Sequence, residues 1–262
     1  MFRRPASLAT LTSMLMLMLW GSAVAQTPPQ DKRSGFEFMS PQTQAMQTDA
    51  SSNPGMLWMI DGERLWQQPQ GSADKSCASC HGTAAKSMRG VATRYPRFDE
   101  RSRKPIDLAG QINLCRQHRQ SAPPLAHESD ELLALSTYVA HQSHGMPITP
   151  AVDSRLRPFR ENGRRWFERR LGQLQLSCAS CHDDRAGARL GGSVIPQAHP
   201  TGYPLYRLEW QTIGSLQRRL RGCLVGVRAE PFEFGAPEYV DIELFLMSRA
   251  AGLKIETPAV RP

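Results

Sequence analysis

The pentapeptide CASCH stands at residues 77–81 and again at residues 178–182. Two thiols spaced C-x-x-C and followed at once by a histidine are the attachment signature of c-type haem. The spacing lets two sulfurs add to the two vinyl groups of one porphyrin while the histidine ligates the iron. A thioredoxin-like redox pair needs a βαβ setting, which the flanking sequence lacks. A zinc site would take the thiols as paired ligands and leave His81 and His182 unexplained. The two copies predict two covalent haems with iron. Cys77, Cys80 and His81 hold one, and Cys178, Cys181 and His182 hold the other.

Working outward, each pentapeptide sits inside a longer repeat. Gly62 lies fifteen residues before Cys77, and Gly163 lies fifteen before Cys178. Each glycine opens a predicted helical segment, GERLWQQ in the first copy and GRRWFER in the second. Downstream, YPRF starts twenty residues before Cys115 and YPLY starts twenty before Cys223. Each unit closes with a periodic apolar run that reaches a glycine stop signal, Gly145 or Gly252. The predicted fold is all-α, with two tandem c-type cytochrome domains over residues 56–147 and 158–262. A proline-containing linker over 148–157 joins them.

Each iron needs one more axial ligand. Met146, Met88, Met247 and His199 each occur in one unit only, whereas Cys115 and Cys223 occupy the same place in both. A thiolate from each is the expected sixth ligand; such ligation favours ferric iron and a low potential. A Cys115–Cys223 disulfide and two ordinary buried thiols are the alternatives.

Ahead of the repeats, two arginines, an apolar run and Ala23-Val24-Ala25 make residues 1–25 a predicted secretory signal peptide. The apolar run is too short for a membrane span, and no later stretch approaches the roughly 20 apolar residues one needs. Export implies a periplasmic, oxidising compartment. Removing Arg3 and Arg4 with no acidic residue lowers the formal charge from +8 to +6. A basic exported protein suits anionic partners and makes nucleic acid an unsuitable one. Residues 26–55, rich in Gln, Ser, Pro and Thr, read as an extended arm.

The units differ most just before their unpaired cysteines. LAGQINLC at 108–115 is neutral, whereas LQRRLRGC at 216–223 holds Arg218, Arg219 and Arg221. Helical spacing places Arg219 one turn before Cys223 on the same face. A guanidinium there lowers the thiol pKa and binds oxyanions by paired hydrogen bonds. Arg218 and Arg221 point elsewhere, to solvent or to a partner. A redox-capable sulfur, an anion site and a haem to take electrons suggest oxidation of a small sulfur anion. A dihaem electron carrier with no chemistry of its own is the alternative.

HPTGYPLYRLEWQTIGSLQRRLRGC at 199–223, together with the paired CASCH motifs, resembles the SoxA family of bacterial sulfur oxidation. The likeness runs from about Gly62 to Gly252. It implies His81 and Cys115 as axial ligands of the first haem, and His182 and Cys223 as those of the second. It also implies that Cys223 is the active-site sulfur, carried as a persulfide, and that Arg219 binds substrate. The implied activity is that of an L-cysteine S-thiosulfotransferase, joining thiosulfate oxidatively to a cysteine of a SoxYZ-like carrier protein. The implied partner is a SoxX-like monohaem cytochrome subunit in a heterodimer.

Overall fold

Of the extended arm expected over residues 26–55, residues 26–30 lie outside the described residues and residues 34–55 instead fold against the C-terminus. The computed structural model describes Met1 and residues 31–262, so the predicted signal peptide, Met1 apart, lies outside the described residues. Ser34 and Glu37 form a reciprocal capping box around a 3-10 turn, Gly35–Phe38. Ser40 then caps α1 (Pro41–Thr48), whose proline occupies the first turn, where its missing N–H costs nothing. Gln47 accepts from the Val260 amide at 3.1 Å, and Asn53 donates to the Pro258 carbonyl at 2.9 Å. These bonds to distant backbone hold the segment down.

The first half continues with α2 (Met56–Gln67), α3 (Cys77–His81) and α4 (Ala84–Ser87). A hairpin follows, β1 (Arg97–Asp99) with β2 (Lys104–Ile106), and then α5 (Leu108–Cys115) and α6 (Asp130–His141). The second half repeats the order with α7 (Arg157–Glu168) and α8 (Cys178–His182). A short β3 (Arg189–Leu190) and β4 (Ser193–Val194) pair is followed by the hairpin β5 (Leu205–Arg207) and β6 (Thr212–Gly214). It closes with α9 (Leu216–Gly226), α10 (Pro237–Arg249) and β7 (Ala259–Arg261), which pairs parallel to β5. Helices predominate, but these seven short strands depart from the all-α expectation. Strands of two or three residues are too short to show an alternating pattern.

Gly62 and Gly163 do not open their helices; they lie in the interiors of α2 and α7. A Cβ on Gly62 would stand 2.3 Å from the Ala134 carbonyl oxygen on α6. On Gly163 it would stand at 1.9 Å from the Asp241 carbonyl oxygen on α10. The glycines therefore let the opening and closing helices of each half cross backbone to backbone. The closing helices stop before their glycines: α6 ends at His141 and α10 at Arg249. Gly145 (φ 73°) and Gly252 (φ 90°) serve the turns beyond.

The expected linker is part of the core. Ile148 is 1 % exposed and packs with Met247, Ala250 and Ile255. Leu156, also 1 % exposed, packs with Phe98 of the first half and Leu244 of the second. Residues Lys32–Pro262 form one unit, with the two halves joined through this segment. Among the described residues no helix is long and apolar enough to cross a membrane.

Candidate haem and anion sites

Each CASCH segment is helical because the serine before it caps it. Ser76 and Ser79 bond reciprocally across the first turn of α3, and Ser177 and Ser180 do the same for α8. One turn of helix sets the two thiols of each motif on adjacent sides, with the histidine following. Ser215 likewise caps α9, its Oγ accepting from the Arg218 amide at 3.1 Å. The hairpin β5–β6 delivers the chain to that cap. These elements bring His182, Cys223 and Arg219 to one cavity, with Tyr203, Arg207 and Leu246.

Within it the His182 Nδ1 donates to the Pro196 carbonyl at 2.6 Å. That bond fixes the ring and leaves Nε2 for the Cys223 sulfur, with which the side chain is hydrogen-bonded. Burial pushes the Cys223 thiol up, but the His182 bond and the Arg219 and Arg207 guanidiniums outweigh it, and the net displacement is downward. Burial opposes the Arg219 charge, and Cys223 and Tyr203 restore it, leaving that guanidinium raised. Burial drives the Cys178 thiol up to about 12, with Cys223 adding to the effect, which sets these two sulfurs in one neighbourhood. Burial also raises the Tyr203 phenol, against the pull of Arg219.

The other arginines of the stretch are engaged elsewhere. Arg218 lies 4.4 Å over the Trp210 ring. Arg221 bonds the Phe232 carbonyl and lies 4.5 Å over Phe234. Of the three, only Arg219 lines the cavity.

In the first half, His81 and Cys80 are exposed, and the His81 ring lies 5.8 Å from that of Trp66. The Trp66 indole N–H donates to the Gly82 carbonyl at 3.0 Å. Cys115 is half-buried and accepts from Gln111 Nε2 at 3.5 Å. Burial raises the Cys77 thiol, and Cys115 is the next cause, which sets these two sulfurs in one neighbourhood. Gln111 thus stands where the second half has Arg219.

All six cysteines are free, so Cys115 and Cys223 are not bridged. Met88 packs beside the core of Met59, Trp66 and Tyr138, and Met247 is itself buried core. His199 lines the second cavity, with its Nδ1 bound to the Arg33 carbonyl at 2.7 Å. Among the described residues no cluster of three or more His, Cys, Asp or Glu could hold a bare metal ion. An imidazole and a thiol on opposing elements, beside a C-x-x-C thiol pair, instead suit an iron that brings four nitrogens of its own. The second cavity fits haem on this donor set. A larger groove of about 600 Å³ along Trp166, Arg169, Arg228 and Phe232 holds no cysteine or histidine and offers no ligand for it.

Residues 61–148 match the family described as SoxA/TsdA, cytochrome c domain. The L-cysteine S-thiosulfotransferase subunit SoxA of Pseudaminobacter salicylatoxidans is 37 % identical over 246 residues, spanning 93 % of this chain and 86 % of that protein. The chain belongs to the SoxA family. The SoxA of Rhodovulum sulfidophilum is 36 % identical, over 87 % of this chain and 80 % of its own length. The crystal structure of SoxXA from P. pantotrophus superposes with a TM-score of 0.85 at 32 % identity, covering 88 % of this chain and 87 % of that one. This SoxA-family chain therefore contains a cytochrome c domain, and covalent haem c with iron is its cofactor.

Of the residues lining this cavity, sequence reasoning named His182, Cys223 and Arg219 as site residues and passed over Arg207, Tyr203 and Arg261. Arg207 carried a readable signal: it stands 108 residues after Asp99, the same offset that relates Cys115 to Cys223.

Proposed function

We propose that this chain is the dihaem subunit of an exported, periplasmic L-cysteine S-thiosulfotransferase. Its partner is a SoxX-like monohaem cytochrome, and it couples thiosulfate to a cysteine of a SoxYZ-like carrier. In this reading residues 56–147 and 158–262 are two cytochrome c domains. Cys77, Cys80, His81 and Cys115 hold the first haem, and Cys178, Cys181, His182 and Cys223 the second. The observation that carries it is the cavity in which Cys223 meets His182 on one side and Arg219 on the other.

The overall change is thiosulfate plus a carrier thiol giving a carrier S-thiosulfonate, one proton and two electrons. Haem, when bound, supplies the acceptor for those electrons. The terminal sulfur of Cys223, as thiol or persulfide, would form an S–S bond to thiosulfate with release of the two electrons. Attack by the carrier thiol would then break that bond, move the thiosulfate group to the carrier and return Cys223 to its starting form. Arg219 orients the sulfonate end and balances charge while the S–S bond forms, an interaction strengthened by its burial. The His182 imidazole, fixed through Pro196, holds the opposite wall. The neutral Gln111 in place of Arg219 argues for electron transfer or structure, and against sulfur chemistry, in the first half.

The test uses the haem-loaded heterodimer with thiosulfate, the carrier and a cytochrome acceptor. Mass spectrometry of the carrier follows the S-thiosulfonate, and acceptor absorbance counts electrons. One product per two electrons, lost in Arg219→Gln with an unchanged haem spectrum, is the expected result. Electron transfer without carrier modification would leave a simple dihaem carrier.

A further inference from the structure

The Arg219 guanidinium carries one positive charge, and the substrate of the proposed reaction is a dianion. Arg207 lies in the same cavity, projected from the end of β5, with its side chain 12 % exposed. Its Nη2 is held by Glu209 at 2.7 Å, and its guanidinium lies 5.2 Å from the Trp210 ring centre. Its Nε–H is buried with no acceptor among the described residues. A buried donor without an acceptor is costly, and it marks a place where a bound group completes the site.

The repeat supplies an internal comparison. With the constant offset of 108 residues, β1 and β2 superimpose in register on β5 and β6, so Asp99 corresponds to Arg207. Asp99 accepts from the Ser102 amide at 2.7 Å and serves its own turn. The hairpin therefore forms with an acid at this position, and an arginine is not required to build it. The half that has Arg219 in place of Gln111 also has Arg207 in place of Asp99. Both changes place positive charge at one cavity.

We propose that Arg207 is a second substrate-binding residue, so that Arg207 and Arg219 form a two-guanidinium clamp selective for divalent oxyanions. The proposal rests on the thiosulfate reading for the identity of the substrate, while the clamp itself is a statement about doubly charged anions. Two like charges in one low-dielectric cavity repel, and a dianion between them turns that repulsion into attraction. The salt bridge and the ring hold Arg207 in place before substrate arrives, so little ordering remains to be done on binding.

The test uses the haem-loaded heterodimer as wild type, Arg207→Gln and Arg207→Lys. Calorimetry measures binding of sulfate, thiosulfate and nitrate to the resting protein, and steady-state coupling gives KM and kcat for thiosulfate. In Arg207→Gln the Kd for both dianions and the KM are expected to rise about tenfold, with kcat within about threefold. Nitrate binding and the haem spectrum stay as in wild type, and Arg207→Lys recovers most of the loss. Unchanged dianion binding in Arg207→Gln overturns the clamp. So does loss of haem content or an altered haem spectrum in both variants, which makes Arg207 a residue that holds the cofactor. Wild type that binds sulfate through Arg207 yet attaches no thiosulfate to the carrier sinks the thiosulfate reading and leaves the clamp standing.

Discussion

Arg218, Arg219 and Arg221 share six residues of helix with Cys223 and do three different things. Arg219 follows the i, i+4 rule onto the face of Cys223 and enters the cavity, as its spacing predicts. Arg218 stacks on Trp210 and Arg221 is taken up by Phe232 and Phe234, contacts that helical spacing does not reveal. Replacing Arg219 by Gln is expected to lower thiosulfate coupling about 100-fold, the usual loss for a buried donor to developing charge. Arg218→Gln should change coupling less than about threefold, while losing a cation–π contact worth about 0.5–1 kcal/mol. The ratio of kcat/KM between the two variants decides. Equal losses would mean that the stretch acts as one basic docking face.

At the scale of elements, the helices of the two repeats were legible, though not their starts, because their signals are local, whereas α1 in the expected arm was not. The C-x-x-C-H motif and the closing apolar runs each declare themselves within a few residues. The hairpins were not, since β1, β2, β5 and β6 have three residues each. The glycines were legible as a repeat but misread in purpose. Their spacing marked Gly62 and Gly163, yet only the crossing of α2 with α6 and of α7 with α10 shows what they serve. Gly163→Ala would force its Cβ against the Asp241 carbonyl oxygen, which belongs to backbone and has little room to move. Such overpacking costs about 1–3 kcal/mol or more and should lower Tm by about 2–10 °C. Gly226, with nothing within 4 Å of its Cβ position among the described residues, is the control, and Gly226→Ala should be neutral or slightly stabilising. Thermal unfolding of the two variants side by side checks the distinction; a Gly163→Ala protein as stable as the wild type removes the crossing argument.

Across the whole molecule the sequence reading separated two domains, and the structure shows how they are tied together. That tie was hidden because its parts are far apart in the chain. Asp107 caps α5 through the Gly110 amide at 2.7 Å and accepts from Gln217 of α9 at 3.0 Å. Gln217 in turn accepts from the Gly235 amide at 2.8 Å. Asp107, Glu243 of α10, His127 and Glu128 line a small cavity between the halves, with the unpartnered hydroxyl of Ser136. Burial raises the Asp107 carboxyl, against the bond from Gly110 and the charge of His127. Burial raises Glu243 well above the carboxylate range, and Asp107 adds to it. An acid with a raised folded pKa keeps its proton where the unfolded chain has lost it. Stability from this site is therefore highest below the ordinary carboxyl pKa of about 4, and it falls as pH rises toward the folded value. Glu243→Gln removes the ionisation and keeps the shape, so the variant should melt above the wild type at pH 7. The difference should shrink as pH approaches 4, where both forms are neutral at this position. For a chain of this size, each 1 kcal/mol gained appears as about 2–4 °C in Tm. Melting curves of both proteins between pH 4 and pH 8 make the comparison. A gain of constant size across that range would mean that the carboxyl acts through packing, and that the join between the halves does not sense protons.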